Sequence, residues 1–385
     1  MRRIILLGAS GSIGTSTLEI IKEHDDEFKL VAFTVGKQVD KVAPILSANK
    51  DVKAVYVSDK NEANKLKKQF PNIMFYSGES GIVELIFAIK ADMVVNALVG
   101  FVGLYPSIAT ILSNMDLALA NKEALVVGGD IINELLKQSK SKLYPIDSEH
   151  VALAKCLRGE DIANVERVIL TASGGSFRHL SREQLSDVTV EDALNHPSWK
   201  MGEKITIDSA TMMNKGFEII EAHYLFGLPS EKIDIIIQEQ SIIHALVEFT
   251  DGSYLADLGP ADMKIPIAYA LFEGKRVDSQ VHKKLKLEEL NKLTFKPFDL
   301  ERYPAVKFAR EALRLKGTYP VVLNAANEET VYAFLNGEIK FSAIEAIIEE
   351  VLDLHDYYPE VDILTLRKID LEARKQTRAI IESRT

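Results

Sequence analysis

The sequence has a single cysteine, Cys156, among 385 residues, so no disulfide can form within one chain. This scarcity favours a reducing compartment, and we expect a cytoplasmic protein. Basic residues are outnumbered, because 46 Lys and Arg stand against 56 Asp and Glu, for a formal net charge of -10. Non-specific binding to nucleic acid needs a basic surface that displaces counterions. We therefore expect no nucleic-acid partner, although an anionic small molecule is still compatible with a locally basic site.

Long uncharged segments are scarce as well. The basic N-terminus is followed by an apolar run, Ile4–Leu7, that is too short for the core of a signal peptide. Residues 93–115 carry no charge and are long enough to span a bilayer. They contain Asn96, Gly100 and Pro106, which suit a strand, a glycine turn and a helix better than a membrane helix. We therefore expect no membrane association.

The first 150 residues alternate short apolar runs with amphipathic stretches. Ser12–Glu23 has the periodicity of a helix. The apolar runs are typical of buried strands and comprise Ile4–Leu7, Leu30–Val35, Val52–Val57, Ala91–Ala97 and Asp116–Leu119. Strands that alternate with helices at this spacing predict an α/β domain with a Rossmann-like, doubly wound parallel sheet over residues 1–150.

The pattern changes after His150. Strands of a mixed or antiparallel sheet are predicted at Val168–Thr171, Ile233–Ile237, Ala245–Phe249 and Ser253–Ala256, with a hairpin turn at Thr250–Ser253. Residues 276–298 are charged and irregular, which is typical of a linker. Helices are predicted at 305–315, 321–335, 341–353 and 367–383. We therefore expect an α+β domain over 151–275 and a helical bundle over 299–385.

Three glycines, Gly8, Gly11 and Gly14, follow the first strand and open the first helix. Glycines at such a turn let a pyrophosphate approach the backbone at a helix N-terminus, although a tight turn without a ligand is the alternative. The second strand ends in Gly36-Lys37-Gln38, where NAD-binding folds usually place a carboxylate for the ribose 2′-hydroxyl. Because Lys37 suits a 2′-phosphate, the sequence predicts NADPH rather than NADH.

Carboxylates suggest a metal site. Asp147 and Glu149 face the same way if the chain there is extended. If residues 209–218 are helical, Glu218 lies one turn from Asn214. Three carboxylates at one point would repel, and a hard cation bound by oxygen ligands, Mg²⁺ or Mn²⁺, would remove that cost. The alternative, equally consistent with the spacing, is a solvated loop and the polar face of a helix.

Other residues suit a phosphate. The segment Ser173-Gly174-Gly175-Ser176 follows a predicted strand and can form a nest of backbone N–H groups, or else an ordinary loop. Ser209 and Lys215 lie near Glu218 in the sequence. Gly216 costs about 1 kcal/mol inside a helix, which indicates that something approaches the backbone closely there. Trp199, the only tryptophan, lies between Pro and Gly in a segment that suits a mobile lid or a core anchor.

Taken together, these motifs resemble the 1-deoxy-D-xylulose 5-phosphate reductoisomerase family of the non-mevalonate route to isoprenoids. The resemblance covers essentially the whole chain. The matching motifs are Gly8–Gly14, Leu119–Glu123, Pro145–His150, Thr171–Gly175, His196–Pro197, Trp199, Met201–Gly202, Ile205–Glu221 and Leu323–Glu328.

The resemblance implies roles for individual residues. The implied metal ligands are Asp147, Glu149 and Glu218, and the implied catalytic residues are Lys122, Glu149, His196 and Glu218. The implied substrate contacts are Lys122, Ser148, Glu149, Ser173, His196, Trp199, Ser209, Asn214, Lys215 and Glu218. The implied cofactor contacts are Gly8, Ser10, Gly11, Ser12, Ile13, Gly36, Lys37, Gln38, Asn121, Glu123 and Gly202.

The resemblance also implies an activity and an organisation. A family member binds NADPH and Mg²⁺ or Mn²⁺, and it rearranges and reduces the sugar phosphate 1-deoxy-D-xylulose 5-phosphate to 2-C-methyl-D-erythritol 4-phosphate. The implied domains are an NADPH-binding domain at 1–150, a catalytic and dimerisation domain at 151–275 with a mobile loop near 195–204, a linker at 276–298 and a helical domain at 299–385. A homodimer is expected from the resemblance alone.

Four positions depart from the family pattern, namely Ser10, Ala172, Ser176 and Glu239, where threonine, glycine, proline and proline are usual. None of them removes an expected ligand. Two other functions share part of the pattern. A plain NADP-dependent dehydrogenase shares the glycine turn but needs no acidic trio, and an NADPH-sensing regulator would keep Gly8–Gly14 and need no metal site.

Overall fold

The structure is a computed structural model that describes residues 1–384. The chain forms two compact units. The first unit comprises residues 1–124, 130–151 and 262–283. The second unit comprises residues 125–129, 152–261 and the chain from 284 onward.

The first unit is built on a seven-stranded parallel sheet. Its strands are β1 (Arg2–Leu7), β2 (Phe28–Gly36), β3 (Ala54–Val57), β4 (Met74–Tyr76), β5 (Met93–Asn96), β6 (Asp116–Leu119) and β7 (Leu143–Pro145). Their order is β4-β3-β2-β1-β5-β6-β7. In β1, Ile4–Leu7 is fully buried, because helices cover both faces of a parallel sheet.

The helices of this unit follow the strands in alternation. They are α1 (Ser12–Glu23), α2 (Val42–Ala48), α3 (Lys60–Gln69), α4 (Gly81–Ala88), α5 (Leu104–Leu112), α6 (Lys122–Gln138), α7 (Ser148–Cys156) and, from a later part of the chain, α11 (Lys264–Leu271). Residues 125–129 of α6 and 152–156 of α7 are assigned to the second unit. The predicted doubly wound α/β fold is confirmed.

The uncharged segment 93–115 folds as strand β5, a glycine-containing turn and helix α5, as its composition predicts. None of the helices in residues 1–384 combines the length and the apolar character that a bilayer span requires.

The second unit contains a five-stranded mixed sheet. Its strands are β8 (Val165–Ala172), β9 (Ile233–Ile237), β10 (Ile243–Phe249), β11 (Tyr254–Leu258) and β12 (Lys296–Pro297), in the order β11-β10-β8-β9-β12. Strands β8 and β9 are parallel, whereas the other pairs are antiparallel. The predicted hairpin turn joins β10 to β11, and Gly252 supplies its left-handed residue with φ of 83°.

Helices form the rest of the second unit. They are α8 (Val190–Leu194), α9 (Glu203–Thr211), α10 (Met213–Phe226), α12 (Ala305–Leu315), α13 (Tyr319–Leu335), α14 (Ala343–Asp353) and α15 (Ile363–Arg384). Helix α10 packs on α12, and α13 packs on α12, α14 and α15. The expected C-terminal helical bundle is therefore present.

The two ends of the stretch 276–298 have different structural surroundings. Residues 276–283 belong to the first unit, where the buried hydroxyl of Ser279 donates to Glu23 of α1. Residues 296–297 form strand β12, which pairs with β9.

The backbone at Gly216 lies against a neighbouring helix. A Cβ atom at this position would lie 2.7 Å from the Cβ of Ala309 in α12. The close approach that the sequence indicates is therefore made, within the second unit, by helix α12.

Gly216→Ala should lower the stability of the second unit. An alanine at an open helical position gains up to about 1 kcal/mol over glycine, but overpacking here should cost about 1–3 kcal/mol. We expect a lower midpoint of urea unfolding, partly restored when Ala309→Gly removes the opposing methyl group. A single variant more stable than the unmodified protein would contradict this packing.

Candidate active site

Four of the predicted segments of the first unit lie at one edge of its sheet. All seven strands are parallel, so the residues that follow them emerge at the same carboxyl edge. The order in which successive strands are added reverses at β1, which has β2 on one side and β5 on the other, and ligands of such sheets bind at this point. The segments there are Gly8–Ile13 after β1, Gly36–Gln38 at the end of β2, Asn121–Glu123 after β6 and Asp147–Glu149 after β7.

The turn after β1 brings its backbone segments unusually close together. Gly8 has φ of 81°, and its N–H donates to the Thr34 hydroxyl at 2.7 Å. A Cβ on Gly14 would lie 2.2 Å from the carbonyl oxygen of Gly8. Gly11 stands at the N-cap of α1 in extended conformation. The turn therefore presents backbone and a helix N-terminus, which is the geometry of an anion site.

The segment after β6 is organised by Asn121. Its Oδ1 accepts from the backbone N–H of Ala124 at 3.0 Å and caps α6. Its Nδ2 donates to the carbonyl oxygens of Leu98 and Gly100 at 3.0 and 2.9 Å. The side chain of Asn121 therefore fixes the loop after β5 relative to the start of α6.

Lys122 links this segment to the one after β7. Its Nζ lies 2.9 Å from Oδ2 of Asp147, and both side chains are largely buried. The other oxygen of Asp147 accepts from the backbone N–H of Glu149 at 3.2 Å, while the Ser148 hydroxyl donates to Glu149. His150 is fully buried, with Nδ1 3.4 Å from Asp147. The two carboxylates of this segment are thus held in an ordered network.

In the second unit, the glycines of the predicted nest adopt left-handed conformations. Gly174 has φ of 89° and Gly175 has φ of 70°. The N–H of Gly175 donates to the Ser173 hydroxyl, which also lies 3.1 Å from Nε2 of His196. A Cβ on Gly175 would lie 2.5 Å from the carbonyl oxygen of Ser209 in α9. Ser173, His196 and Ser209 therefore belong to one cluster within this unit.

Backbone contacts define the protonation state of His196. Its Nδ1 accepts from the N–H groups of Ser198 and Trp199 at 3.2 and 3.0 Å. The proton of the neutral ring therefore sits on Nε2 and faces Ser173. Burial, assisted by the charge of Arg178, lowers the pKa of His196 to about 4. Near neutral pH the ring is a neutral donor.

Trp199 and Gly202 lie farther along the same segment. The ring of Trp199 is 6.1 Å from that of His244, and Gly202 is the exposed N-cap residue of α9.

Helices α9 and α10 meet at Met212, whose left-handed backbone has φ of 64°. Asn214 and Lys215 lie in the first turn of α10, and both donate to Glu218 in the next turn. The side chains of Lys215 and Glu218 are 5% and 1% exposed. A buried carboxylate is costly unless it is paired, and here the charge of Lys215 compensates it.

Two residues of this region were not predicted from the sequence. Nη1 of Arg178 donates to the carbonyl oxygens of Ser173 and Glu239 at 3.4 and 3.2 Å. The buried hydroxyl of Tyr303 donates to the carbonyl oxygen of Gly174 at 3.4 Å. A cation three residues after the Ser-Gly-Gly loop was a usable signal for Arg178. Nothing in the sequence marks Tyr303, which approaches from a distant segment.

The four departures from the family pattern are accommodated locally. The hydroxyl of Ser10 lies 3.4 Å from the carbonyl oxygen of Val35, and that of Ser176 donates to the carbonyl oxygen of Ala193 at 2.7 Å. Ala172 is buried at the end of β8. Glu239 forms an ion pair with Lys296 of β12 at 2.6 Å, which proline could not make.

The first unit has the architecture of a dinucleotide-binding domain, and the second carries a polar cluster suited to an anion. These features are typical of a nucleotide-dependent oxidoreductase. Family models for 1-deoxy-D-xylulose 5-phosphate reductoisomerase match residues 4–129, and models for its C-terminal domains match residues 143–226 and 258–376. The chain belongs to the 1-deoxy-D-xylulose 5-phosphate reductoisomerase family and is therefore an enzyme.

Individual reductoisomerases are similar to this chain over its full length. The reductoisomerase of Geobacillus sp. (strain WCH70) is 47% identical over 99% of this chain and 100% of its own. That of Macrococcus caseolyticus is 46% identical over 98% of this chain and 99% of its own.

Solved reductoisomerase structures are similar to this fold over nearly the whole chain. The reductoisomerase from Zymomonas mobilis in complex with NADPH is similar with a TM-score of 0.91 and 38% identity, covering 99% of each chain. A DOX-P reductoisomerase in complex with NADPH, fosmidomycin and magnesium has a TM-score of 0.93 and 36% identity, covering 99% of this chain and 98% of its own.

The lowered pKa of His196 predicts a pH dependence of stability. The folded state favours the neutral ring, so between an unfolded pKa of about 6.5 and the folded value of about 4 the unfolded state binds more protons. Stability from this group is therefore present above pH 6.5 and declines as the pH falls toward 4. The unfolding free energy should drop less over this window in His196→Asn than in the unmodified protein. Identical slopes in urea unfolding would contradict the assignment.

Proposed function

We propose that the protein catalyses the NADPH- and divalent-metal-dependent rearrangement and reduction of 1-deoxy-D-xylulose 5-phosphate to 2-C-methyl-D-erythritol 4-phosphate, for non-mevalonate isoprenoid synthesis. One observation carries most weight, the nearly fully buried carboxylate of Glu218 beside Lys215 and Asn214. A plain dehydrogenase has no need of this arrangement. Membership in the reductoisomerase family supports the reaction itself.

NADPH is the proposed reductant, held by the turn Gly8–Ile13, residues 36–38, Asn121, Glu123 and Gly202. The turn from Gly8 to Gly14 is too tight for a Cβ atom at either glycine and presents the N-terminus of α1, which suits a pyrophosphate. Lys37 is exposed at the end of β2, where it suits a 2′-phosphate. When bound, NADPH supplies the hydride. The structures with NADPH among the similar proteins support this choice.

A divalent cation, Mg²⁺ or Mn²⁺, is the proposed metal, and Asp147, Glu149 and Glu218 are its proposed ligands. These donors are all carboxylate oxygens, the ligand type that both ions prefer. Three similar reductoisomerase structures are complexes with magnesium. When bound, the cation supplies Lewis-acid polarisation of the substrate's ketone and neighbouring hydroxyl oxygens.

The substrate phosphate is proposed to bind five residues of the second unit: Ser173, His196 and Ser209 of the polar cluster, together with Asn214 and Lys215 of α10. Lys215 supplies charge, and the neutral Nε2–H of His196 supplies a donor that needs no proton uptake near pH 7. Binding energy at the phosphate would orient the distant reacting carbons.

Lys122, Ser148, Glu149 and Glu218 would contact the reacting end of the substrate. In this proposal, Lys122, Glu149, His196 and Glu218 are the catalytic residues. Trp199, in the loop 195–204, would cover the substrate and exclude water.

The assembly is proposed to be a cytoplasmic homodimer, with residues 1–150 as the NADPH domain, 151–275 as the catalytic and dimerisation domain, 276–298 as linker and 299–385 as helical domain. Strand β11 supports dimerisation, because it is the edge strand of its sheet and leaves Tyr254, Leu255 and Leu258 39–48% exposed. Exposed apolar edge strands are prone to pair with another chain.

The reaction is tested by NADPH oxidation with 1-deoxy-D-xylulose 5-phosphate in the presence and absence of Mg²⁺. We expect turnover that requires both the sugar phosphate and the metal. Glu218→Gln should lower kcat by about 100-fold or more, with NADPH affinity within about twofold of normal because the cofactor site is untouched.

Glu191→Gln, which changes an exposed glutamate of α8, is the control for this experiment and should leave turnover unchanged. Near-normal activity of Glu218→Gln with Mg²⁺ supplied would overturn the ligand role. Absence of any turnover by the unmodified enzyme would overturn the proposed reaction.

Cofactor preference is tested by Lys37→Asp. Replacing the cation with a carboxylate should repel the 2′-phosphate and accept the ribose hydroxyl, shifting the NADPH-to-NADH ratio of kcat/KM by about tenfold or more toward NADH. Lys53→Asp makes the same charge change at an exposed lysine just before β3, at the opposite edge of the sheet, and should leave the ratio unchanged. An unaltered ratio in Lys37→Asp would contradict the assignment.

A further inference from the structure

A second buried ion pair lies in α9, outside the residues assigned to substrate, cofactor or metal. Nζ of Lys204 is 2.7 Å from Oδ2 of Asp208 one turn later, and their side chains are 6% and 2% exposed. Nδ2 of Asn327, a fully buried residue of α13, donates to Oδ1 of Asp208 at 2.9 Å. The Lys204 ammonium also lies 5.4 Å from the ring centroid of Phe217 in α10. The trio of Lys204, Asp208 and Asn327 therefore joins α9 to α13, and Phe217 adds a contact to α10.

Stability alone is a poor reason for this arrangement. Apolar side chains of similar volume often replace a buried ion pair without loss of stability. Among the described residues, Oδ1 of Asn327 accepts no hydrogen bond, and a buried unpaired acceptor is unfavourable. The amide is thus retained at a cost, and its observed contact is the N–H bond to Asp208. What this bond determines is the position and rotation of α9 against α13.

Helix α9 carries a proposed phosphate contact. Ser209 directly follows Asp208, and its carbonyl oxygen lies against the backbone of Gly175 in the Ser-Gly-Gly loop. Phe217, under the Lys204 ammonium, directly precedes Glu218. A shift or rotation of α9 would therefore displace Ser209 and disturb the loop that holds Ser173.

We propose that Asn327, acting through Asp208 and Lys204, is a positioning residue for the site that binds the substrate's phosphate group. The inference rests on the proposed function, since it takes Ser209 to be a phosphate contact. Asn327 does not touch the substrate in this account. It fixes the helix that does, from the helical region at the end of the chain.

The test compares Asn327→Leu with Asn324→Leu. Asn324 lies almost one turn earlier in the same helix and is equally buried, but its Nδ2 donates to Glu328 of α13 itself at 2.8 Å. Both variants remove a buried amide and should lower the melting temperature. Only Asn327→Leu should raise KM for 1-deoxy-D-xylulose 5-phosphate, by about tenfold, as expected when a bond to a charged group is lost. KM for NADPH should stay within about twofold in both.

A rescue variant separates positioning from general damage. Asn327→Asp alone removes the donor and sets two carboxylates against each other, whereas Asn327→Asp combined with Asp208→Asn keeps the total charge and allows the same hydrogen bond in the reverse direction, so KM for the sugar phosphate should recover relative to Asn327→Asp alone. If Asn327→Leu does not fold, the milder variants Asn327→Ser and Asn324→Ser are compared instead. The measured quantity is again KM for 1-deoxy-D-xylulose 5-phosphate.

The outcomes distinguish this inference from the proposed function. Equal KM values for the sugar phosphate in the 327 and 324 variants, or a double variant with no recovery, would overturn the positioning role while the unmodified enzyme still turns over. An unmodified enzyme that ignores 1-deoxy-D-xylulose 5-phosphate would instead overturn the proposed function.

Discussion

Two lysine–carboxylate pairs buried in consecutive helices impose the main constraint on the second unit. Lys204 pairs with Asp208 in α9, and Lys215 pairs with Glu218 in α10. Charges removed from water are stable only when partners and surrounding packing hold them in place. Helices α12 and α13 provide that packing, through the close approach at Gly216 and the amide of Asn327. The C-terminal helices therefore help to hold both buried pairs in place.

A different constraint shapes the first unit, in which backbone segments of the glycine turn after β1 lie in direct contact. The turn after β1 is tight enough that a Cβ at Gly14 would overlap the carbonyl oxygen of Gly8. Asn121 and Lys122 then connect neighbouring segments at the carboxyl edge, one to the loop after β5 and the other to Asp147. These contacts link the segments along the carboxyl edge to one another.

Much of the fold could be predicted from the sequence. The bounds of α1, β6, β9 and α12 match their predictions to the residue, because apolar periodicity is strong there. Strands β4, β7 and β12 were missed. Each has two or three residues and lies at a sheet edge, where one side is unpaired and the apolar signal is weak.

The local backbone geometry of the candidate site was predictable only where the residues concerned are contiguous in the sequence. The glycine turn and the helical segment Asn214–Glu218 carry their signal within a few residues. The extended chain considered for Asp147–Glu149 is wrong, because helix α7 begins at Ser148, and the helix considered for 209–218 is broken at Met212. Contacts made across the chain carry no such signal, as for Tyr303 at the Ser-Gly-Gly loop and Asn327 at Asp208. The contact at Gly216 was predictable in part. A glycine inside a helix indicated a close approach to the backbone, but the sequence could not identify α12 as the neighbour.

The central claim is that Asp147, Glu149 and Glu218 together hold one divalent cation. The most direct measurement is an anomalous difference map from crystals grown with Mn²⁺ and a phosphonate ligand. The account predicts one strong peak within about 2.2 Å of a carboxylate oxygen from each of the three residues. A peak elsewhere, or one that lacks Glu218 as a ligand, would contradict it.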